Sequence, residues 1–178
     1  MTHRLRATHD AILVGIGTVL ADNPRLTVRL ADGPDPQPVI LDSRLRTPTD
    51  ANLLSNPTPP WIFTVAPVDA AHRHALEQAG ARIVVLPPGL DGKADPGAVL
   101  DHLGGMGIRR VMVEGGAEII QTFLASGLVD QVAITVAPIF VGDLRAYGRS
   151  PEVAFPRLDT PSVAQLGQDT LIWGKIVP

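Results

Sequence analysis

Apolar residues in this chain cluster into short runs, and polar or glycine-rich breaks separate them at fairly regular intervals. Ala11 to Val14, Val39-Ile40-Leu41, Trp61 to Val65 and Ala81 to Leu86 are near-continuous apolar segments of strand length. Such runs mark strands covered on both faces, as in parallel sheets. Helical signals lie between them. Thr2 to Thr8 reads as the last turns of a helix, and Val19 to Ala21 as a short helix broken by Asp22-Asn23-Pro24. Ala70 to Gly80 is alanine-rich and closed by glycine, and Asp95-Pro96 sets an N-cap and an N1 proline for a helix to about Leu103. Thr47 to Pro60 reads as a long loop.

The stretch Arg110 to Gly127, RVMVEGGAEIIQTFLASG, combines both periods. Val111-Met112-Val113 is a short strand ending on Glu114, the chain turns through Gly115-Gly116, and Ile119, Ile120, Phe123 and Leu124 then recur at helical spacing until Gly127. Val129 to Phe140 predicts a long strand, and Val141 to Pro161 an irregular stretch. Ser162 to Leu166 and Leu171 to Val177, joined by Gly167-Gln168-Asp169, predict an antiparallel hairpin. The alternation implies an α/β sandwich: a mostly parallel mixed sheet with helices on both faces, the hairpin adding an antiparallel edge.

Composition narrows the picture. At 178 residues a single domain with its own core is expected, and 45% hydrophobic with 19% charged residues is ordinary for a globular protein. A net charge of −3 argues against a general nucleic-acid or anionic-membrane surface, so any phosphate must be held by a local cluster of cations. The chain has no cysteine, which excludes disulfides, thiol nucleophiles and cysteine zinc sites. His3, His9, His72, His74 and His102 make no ligand pattern, so no metal is expected and the histidines read as surface residues. With no transmembrane-length run and no signal-like start, a cytoplasmic protein is expected. Neither Gly-x-Ser-x-Gly nor a P-loop occurs.

The polar cargo at strand ends suggests a ligand site. Gly17-Thr18 with Asp22, Asp42-Ser43-Arg44, and Glu114-Gly115-Gly116 each follow an apolar run, and all would line one edge of a parallel sheet. A helix start offers unpaired N–H groups and roughly half a positive charge, and glycine lets an anion approach the backbone. A lone Gly-Gly is equally a plain connection. Ser43-Arg44 offers a hydroxyl and a forked guanidinium, which suits a ribose 2′-phosphate and favours NADPH over NADH. Arg6, Arg25 and Arg29 form a second basic group, either solvated or set for another anion. Glu114 ends an apolar run, so it is partly buried and needs a partner.

DAILVGIGTVLADNPRLTVR (Asp10 to Arg29), PVILDSRLRTP (Pro38 to Pro48), VMVEGGAEIIQTFLASGLVDQV (Val111 to Val132), APIFVG (Ala137 to Gly142) and the closing LGQDTLIWGKI together resemble the reductase domain of the bacterial riboflavin-biosynthesis deaminase–reductase. The resemblance implies a dihydrofolate-reductase-like three-layer sandwich and a homodimer. It implies NADPH-dependent reduction of 5-amino-6-(5-phosphoribosylamino)uracil to its ribitylamino product, hydride reaching C1′ of the opened ribose. Carried over by motif, Thr18 and Asp22 contact the cofactor, and Ser43 meets the 2′-phosphate with Arg44. Gly115 and Gly116, with Ala117, Glu118, Ile119, Ile120, Gln121 and Thr122, cradle the pyrophosphate. Arg6, Leu26 and Arg29 hold the phosphorylated substrate, and Glu114 is the catalytic orienting group beside it.

Two departures stand out. The resembled family opens on a strand with a Ser-Leu-Asp-Gly-type segment, whereas this chain has Leu5-Arg6-Ala7 and nothing matching ahead of it. A missing first strand is therefore expected, with a rearranged dimer covering the gap or with poor stability. The zinc deaminase signatures His-Ala-Glu and Pro-Cys-x-x-Cys are absent. Two other readings stay open: an NADPH reductase of another pterin- or pyrimidine-like substrate, and a truncated, non-catalytic dimeric relic.

Overall fold

The structure, a computed structural model, describes residues 1–65, 68–140 and 156–177. Most of the irregular stretch expected after Phe140, and the end of the APIFVG motif, lie outside the described residues. The chain forms two compact units, Met1–Ile119 and Ile120–Pro178.

The first unit begins with α1 (Thr2–Ala7), β1 (Ala11–Gly15) and α2 (Ile16–Asp22). It continues through β2 (Gln37–Leu41), a 3-10 helix (Asn52–Ser55), β3 (Trp61–Val65), α3 (Ala70–Gln78), β4 (Arg82–Leu86), α4 (Pro96–Gly105) and β5 (Val111–Val113). Five strands make one parallel sheet in the order β4-β3-β2-β1-β5. All five residues of β1 are buried, as the unbroken apolar run requires. Asp95 is the N-cap the sequence announces, accepting from Ala98 N–H at 2.8 Å ahead of Pro96, and Asp69 caps α3 by accepting from His72 N–H.

Register decides where the polar strand ends go. Gly15 pairs with Leu41, and Leu13 with Val113. The residues after β1, β2 and β5 therefore leave the sheet at the same carboxyl edge.

The core beneath contains Ile12, Val14, Val19, Ile40, Ile62 and Leu76, together with Leu26, Leu45 and Leu53 from the connections. Leu53 comes from the 3-10 helix, in a stretch the sequence reads as plain loop, and is fully buried. Burying such a side chain stabilises by about 1.5–3 kcal/mol, enough to order the local turn. Leu26 and Leu45 are buried with positive φ, 60° and 51°, so packing there overrides the ordinary backbone preference. At the edge, Arg82 lies over the Trp61 ring at 5.4 Å.

α5 (Ala117–Ala125) runs across the division between the units. Its Phe123 is 2% exposed whereas Ile120 is 37% exposed, so the apolar stripe is only partly used. Gly127, with φ 65°, follows the helix, and Leu128 N–H bonds back to the Phe123 carbonyl at 3.3 Å.

The second unit holds β6 (Gln131–Val136), β7 (Arg157–Leu166) and β8 (Asp169–Val177), an antiparallel sheet in the order β6-β8-β7. The expected hairpin forms, with Gly167 at φ 64° in its turn. Its sheet partner is β6, in a separate sheet, rather than an edge of the parallel one. Two limits differ from the sequence reading. β6 is shorter than Val129 to Phe140, and β7 starts at Arg157, five residues before Ser162. Pro161, the last residue of the stretch expected to be irregular, lies inside β7, where a register shift between Asp159 and Ser162, with Thr160 at φ 38°, lets the strand pass through it.

Candidate active site at the carboxyl edge of the parallel sheet

The glycine turn is tightly built. Gly115 has φ 96°, and a Cβ placed on it would lie 2.5 Å from Thr18 Oγ1. Gly116 N–H donates to the same Thr18 oxygen at 3.1 Å, and the Gly116 carbonyl accepts from Ile119 N–H as α5 begins. A Cβ on Gly15 would meet Ile119 Cγ1 at 2.5 Å, so the first turn of α5 sits directly on the end of β1. Two positions without Cβ thus bring helix start and sheet edge together, leaving a backbone surface that suits phosphate.

Asp42, at the end of β2, shapes the neighbouring loop. It is fully buried, and its Oδ2 accepts from Thr47 N–H at 2.7 Å and Thr47 Oγ1 at 2.8 Å. Asp42 Oδ1 is buried with no hydrogen-bond partner. The closed 42–47 loop holds Ser43 half-buried and Arg44 exposed. Ser43 Oγ accepts from Ala94 N–H at 3.1 Å.

That bond brings in Lys93, which sequence reasoning missed. Gly89 N–H bonds the Lys93 carbonyl at 2.7 Å, Lys93 N–H bonds Asp91 Oδ1 at 2.9 Å, and Pro88 bridges Ala94. The Lys93 ammonium donates to the Glu118 carboxylate in the first turn of α5. That hydrogen bond chiefly holds the lysine above its ordinary pKa, with Arg44 near enough to push the other way. The local signal was slight, a lysine after Asp91-Gly92 in a turn-rich stretch.

Glu114 and Arg6, assigned separately from sequence, are partners. Arg6 Nε donates to Glu114 Oε2 at 3.0 Å and Nη2 to Oε1 at 2.7 Å, while Nη1 donates to the Thr27 carbonyl at 3.0 Å. The partner that a part-buried Glu114 demands is thus Arg6. Leu26 is 2% exposed, so its side chain belongs to the core. Arg29 is exposed; its N–H donates to His3 Nδ1, and with Arg4 and Thr8 it lines an open groove. Arg25 and Asp22 are exposed. Ile119 packs on Gly15, and Ile120, Gln121 and Thr122 continue α5 into the second unit.

Four of the five histidines, His3, His9, His72 and His102, are half-buried and not the surface residues the sequence suggests. His72 Nε2 donates to the Thr47 carbonyl at 3.0 Å, and His102 meets Phe63 edge-on at 5.5 Å. Among the described residues no group of three or more His, Asp or Glu could hold a metal ion, and no helix is long and apolar enough to cross a membrane.

A glycine turn opening a helix, with a serine, an arginine and a lysine at the same carboxyl edge of a parallel sheet, makes an α/β domain whose sheet edge could hold a phosphate. The chain belongs to the RibD C-terminal domain family, whose model matches residues 1–172, as the sequence resemblance implies. It is 41% identical over 143 residues to the 2,5-diamino-6-ribosylamino-4(3H)-pyrimidinone 5′-phosphate reductase of Methanothermobacter thermautotrophicus, covering 79% of this chain and 64% of that one. It is 37% identical over 172 residues to the riboflavin biosynthesis protein RibD of Bacillus amyloliquefaciens, covering 92% of this chain and 46% of the relative. The solved structure of Acinetobacter baumannii RibD matches with a TM-score of 0.81 and 28% identity, over 98% of this chain and 49% of that one. The chain thus spans 64% of the archaeal relative's length and about half of each RibD protein. The parallel sheet followed by an antiparallel one agrees with that structure.

Proposed function

We propose that this chain carries out NADPH-dependent reduction of 5-amino-6-(5-phosphoribosylamino)uracil to its ribitylamino product. The observation that carries the reading is the Gly115-Gly116 turn, locked by Thr18 on the sheet edge that also presents Ser43 and Arg44. The helix start after this turn, with Thr18 packed where a Gly115 Cβ would stand, fits one phosphate, and the hydroxyl and guanidinium fit a second one. When bound, the dihydronicotinamide supplies hydride to C1′ of the opened ribosylamino group.

The chain's own residues bind and orient. Thr18, Gly115 and Gly116 receive the pyrophosphate, and Ser43 with Arg44 receives the 2′-phosphate. Arg6 fixes the Glu114 carboxylate with two hydrogen bonds, leaving acceptor sites on its oxygens for a substrate amine or hydroxyl. Arg29, exposed beside Arg4, takes the 5′-phosphate. On the same reading the protein works in the cytoplasm as a homodimer. The cross-strand row Ile134–Ile172–Val163 on the antiparallel sheet supports this, with Ile134 44% and Val163 64% exposed.

A second substrate form, the 2,5-diamino pyrimidinone 5′-phosphate, is favoured by the name of the 41% identical relative. The test is NADPH consumption, followed by its absorbance, with each pyrimidine phosphate in turn. Turnover with either form and not with the dephosphorylated compound is expected, and the faster form identifies the substrate. No turnover with either overturns the assignment.

A further inference from the structure

The loop that closes over Ser43 holds a cation with no role in the reaction as described above. Lys93 precedes Ala94, whose N–H donates to Ser43 Oγ at 3.1 Å. That bond occupies an acceptor site of the hydroxyl and leaves its own proton free to donate. The loop is closed by the 2.7 Å bond from Gly89 N–H to the Lys93 carbonyl and by the Asp91 side chain on Lys93 N–H. The lysine backbone is therefore fixed beside Ser43, whereas its side chain is 56% exposed. The carboxylates facing it are Glu118, which accepts from the ammonium, and Asp91, whose Oδ1 serves the Lys93 backbone. Arg44, exposed and without a hydrogen bond or ion pair among the described residues, completes a set of one hydroxyl and two cations.

We propose that Lys93 is a specificity-determining residue for the adenosine 2′-phosphate, held in reserve on Glu118 and transferred to the phosphate when NADPH binds. This rests on the cofactor reading above. The exchange is favourable because an exposed lysine–carboxylate pair contributes little and is readily given up. A phosphate dianion offers the ammonium a charge-assisted bond shared with Ser43 and Arg44. Glu118 is 73% exposed, so its carboxylate stays in contact with solvent when the ammonium leaves it.

Calorimetric titration of the full chain tests this with NADPH, NADH and the nicotinamide-free probes adenosine 2′,5′-bisphosphate and AMP. Lys93→Met is expected to weaken NADPH and the bisphosphate about tenfold or more while leaving NADH and AMP unchanged, a loss of about 1.4 kcal/mol per decade. Lys93→Arg should retain the preference, and Glu118→Gln should tighten NADPH and the bisphosphate but not NADH or AMP. Ser43→Ala separates the two readings. If it weakens NADPH selectively while Lys93→Met weakens all four ligands equally or none, the Lys93 assignment is overturned and the cofactor reading stands. Failure of the unmodified chain to bind either dinucleotide overturns both.

Discussion

The guanidinium of Arg6 and the carboxylate of Glu114, 108 residues apart, meet fork to fork, with Nε at 3.0 Å and Nη2 at 2.7 Å from the two acid oxygens. The Arg6 side chain is 9% exposed and that of Glu114 29%. Removing one partner strands the other in a part-buried site, and Arg6 also ties down the Thr27 carbonyl. Arg6→Ala is therefore expected to cost about 3 kcal/mol in urea unfolding, with Glu114→Ala somewhat less. A double-mutant cycle should return a coupling of about 1–3 kcal/mol, and strictly additive losses would refute the pairing. Arg6→Lys keeps the charge but loses the fork, so it should recover only part of the stability.

Gly115→Ala tests the turn. The new Cβ would meet Thr18 Oγ1 at 2.5 Å, and φ 96° is hostile to alanine whatever the space. A stability loss of about 1–3 kcal/mol is expected, with NADPH affinity reduced at least as much. Adding Thr18→Ala removes the clash but not the backbone strain, so the double variant should recover only in part. Unchanged affinity for Gly115→Ala would show that no ligand approaches this backbone.

Asp10 gives the fold a defined acid sensitivity. Its Oδ2 accepts from Arg109 and Arg110 N–H, each at 2.9 Å, and those two bonds, Arg109 first, hold the carboxyl below its ordinary pKa. A group depressed in the folded state adds stability above the unfolded carboxylate value, about pH 4, and loses it as pH falls through the folded value. The Tm difference between the unmodified chain and Asp10→Asn should hold steady from neutral pH to about 5, then close towards pH 3. A difference that widens on acidification would contradict the assignment.

The antiparallel sheet offers the dimer test. Val163→Lys places a charge beside Ile172 in the row that includes Ile134. Val163 is 64% exposed, so the fold should lose no more than about 0.5 kcal/mol. Sedimentation should shift from dimer to monomer. A monomer before and after the change would remove the homodimer from the account.

The parallel sheet was readable because its inner strands β1, β2 and β3 are buried on both faces and so leave unbroken apolar runs; Trp61 to Val65 agrees residue for residue. The glycine turn, too, is a local signal. What escaped the reading depends on distant partners. Nothing near Arg6 announces Glu114, and nothing near Ser43 announces Ala94 and Lys93. The turn carrying Leu53 is ordered by the core it enters, not by its own sequence. Pro161 stands inside a strand because a register shift absorbs it. The division after Ile119 falls within α5, where no change of composition marks it.

The most direct test is to follow the hydride itself. NADPH deuterated at the transferable position of the nicotinamide ring should be consumed with the ribosylaminopyrimidine phosphate, and the ribitylamino product should carry the deuterium at C1′. Deuterium at C1′, with NADH a much poorer donor, is the result predicted here. Consumption of NADPH without label at C1′, or none with either pyrimidine form, would contradict the proposed reaction.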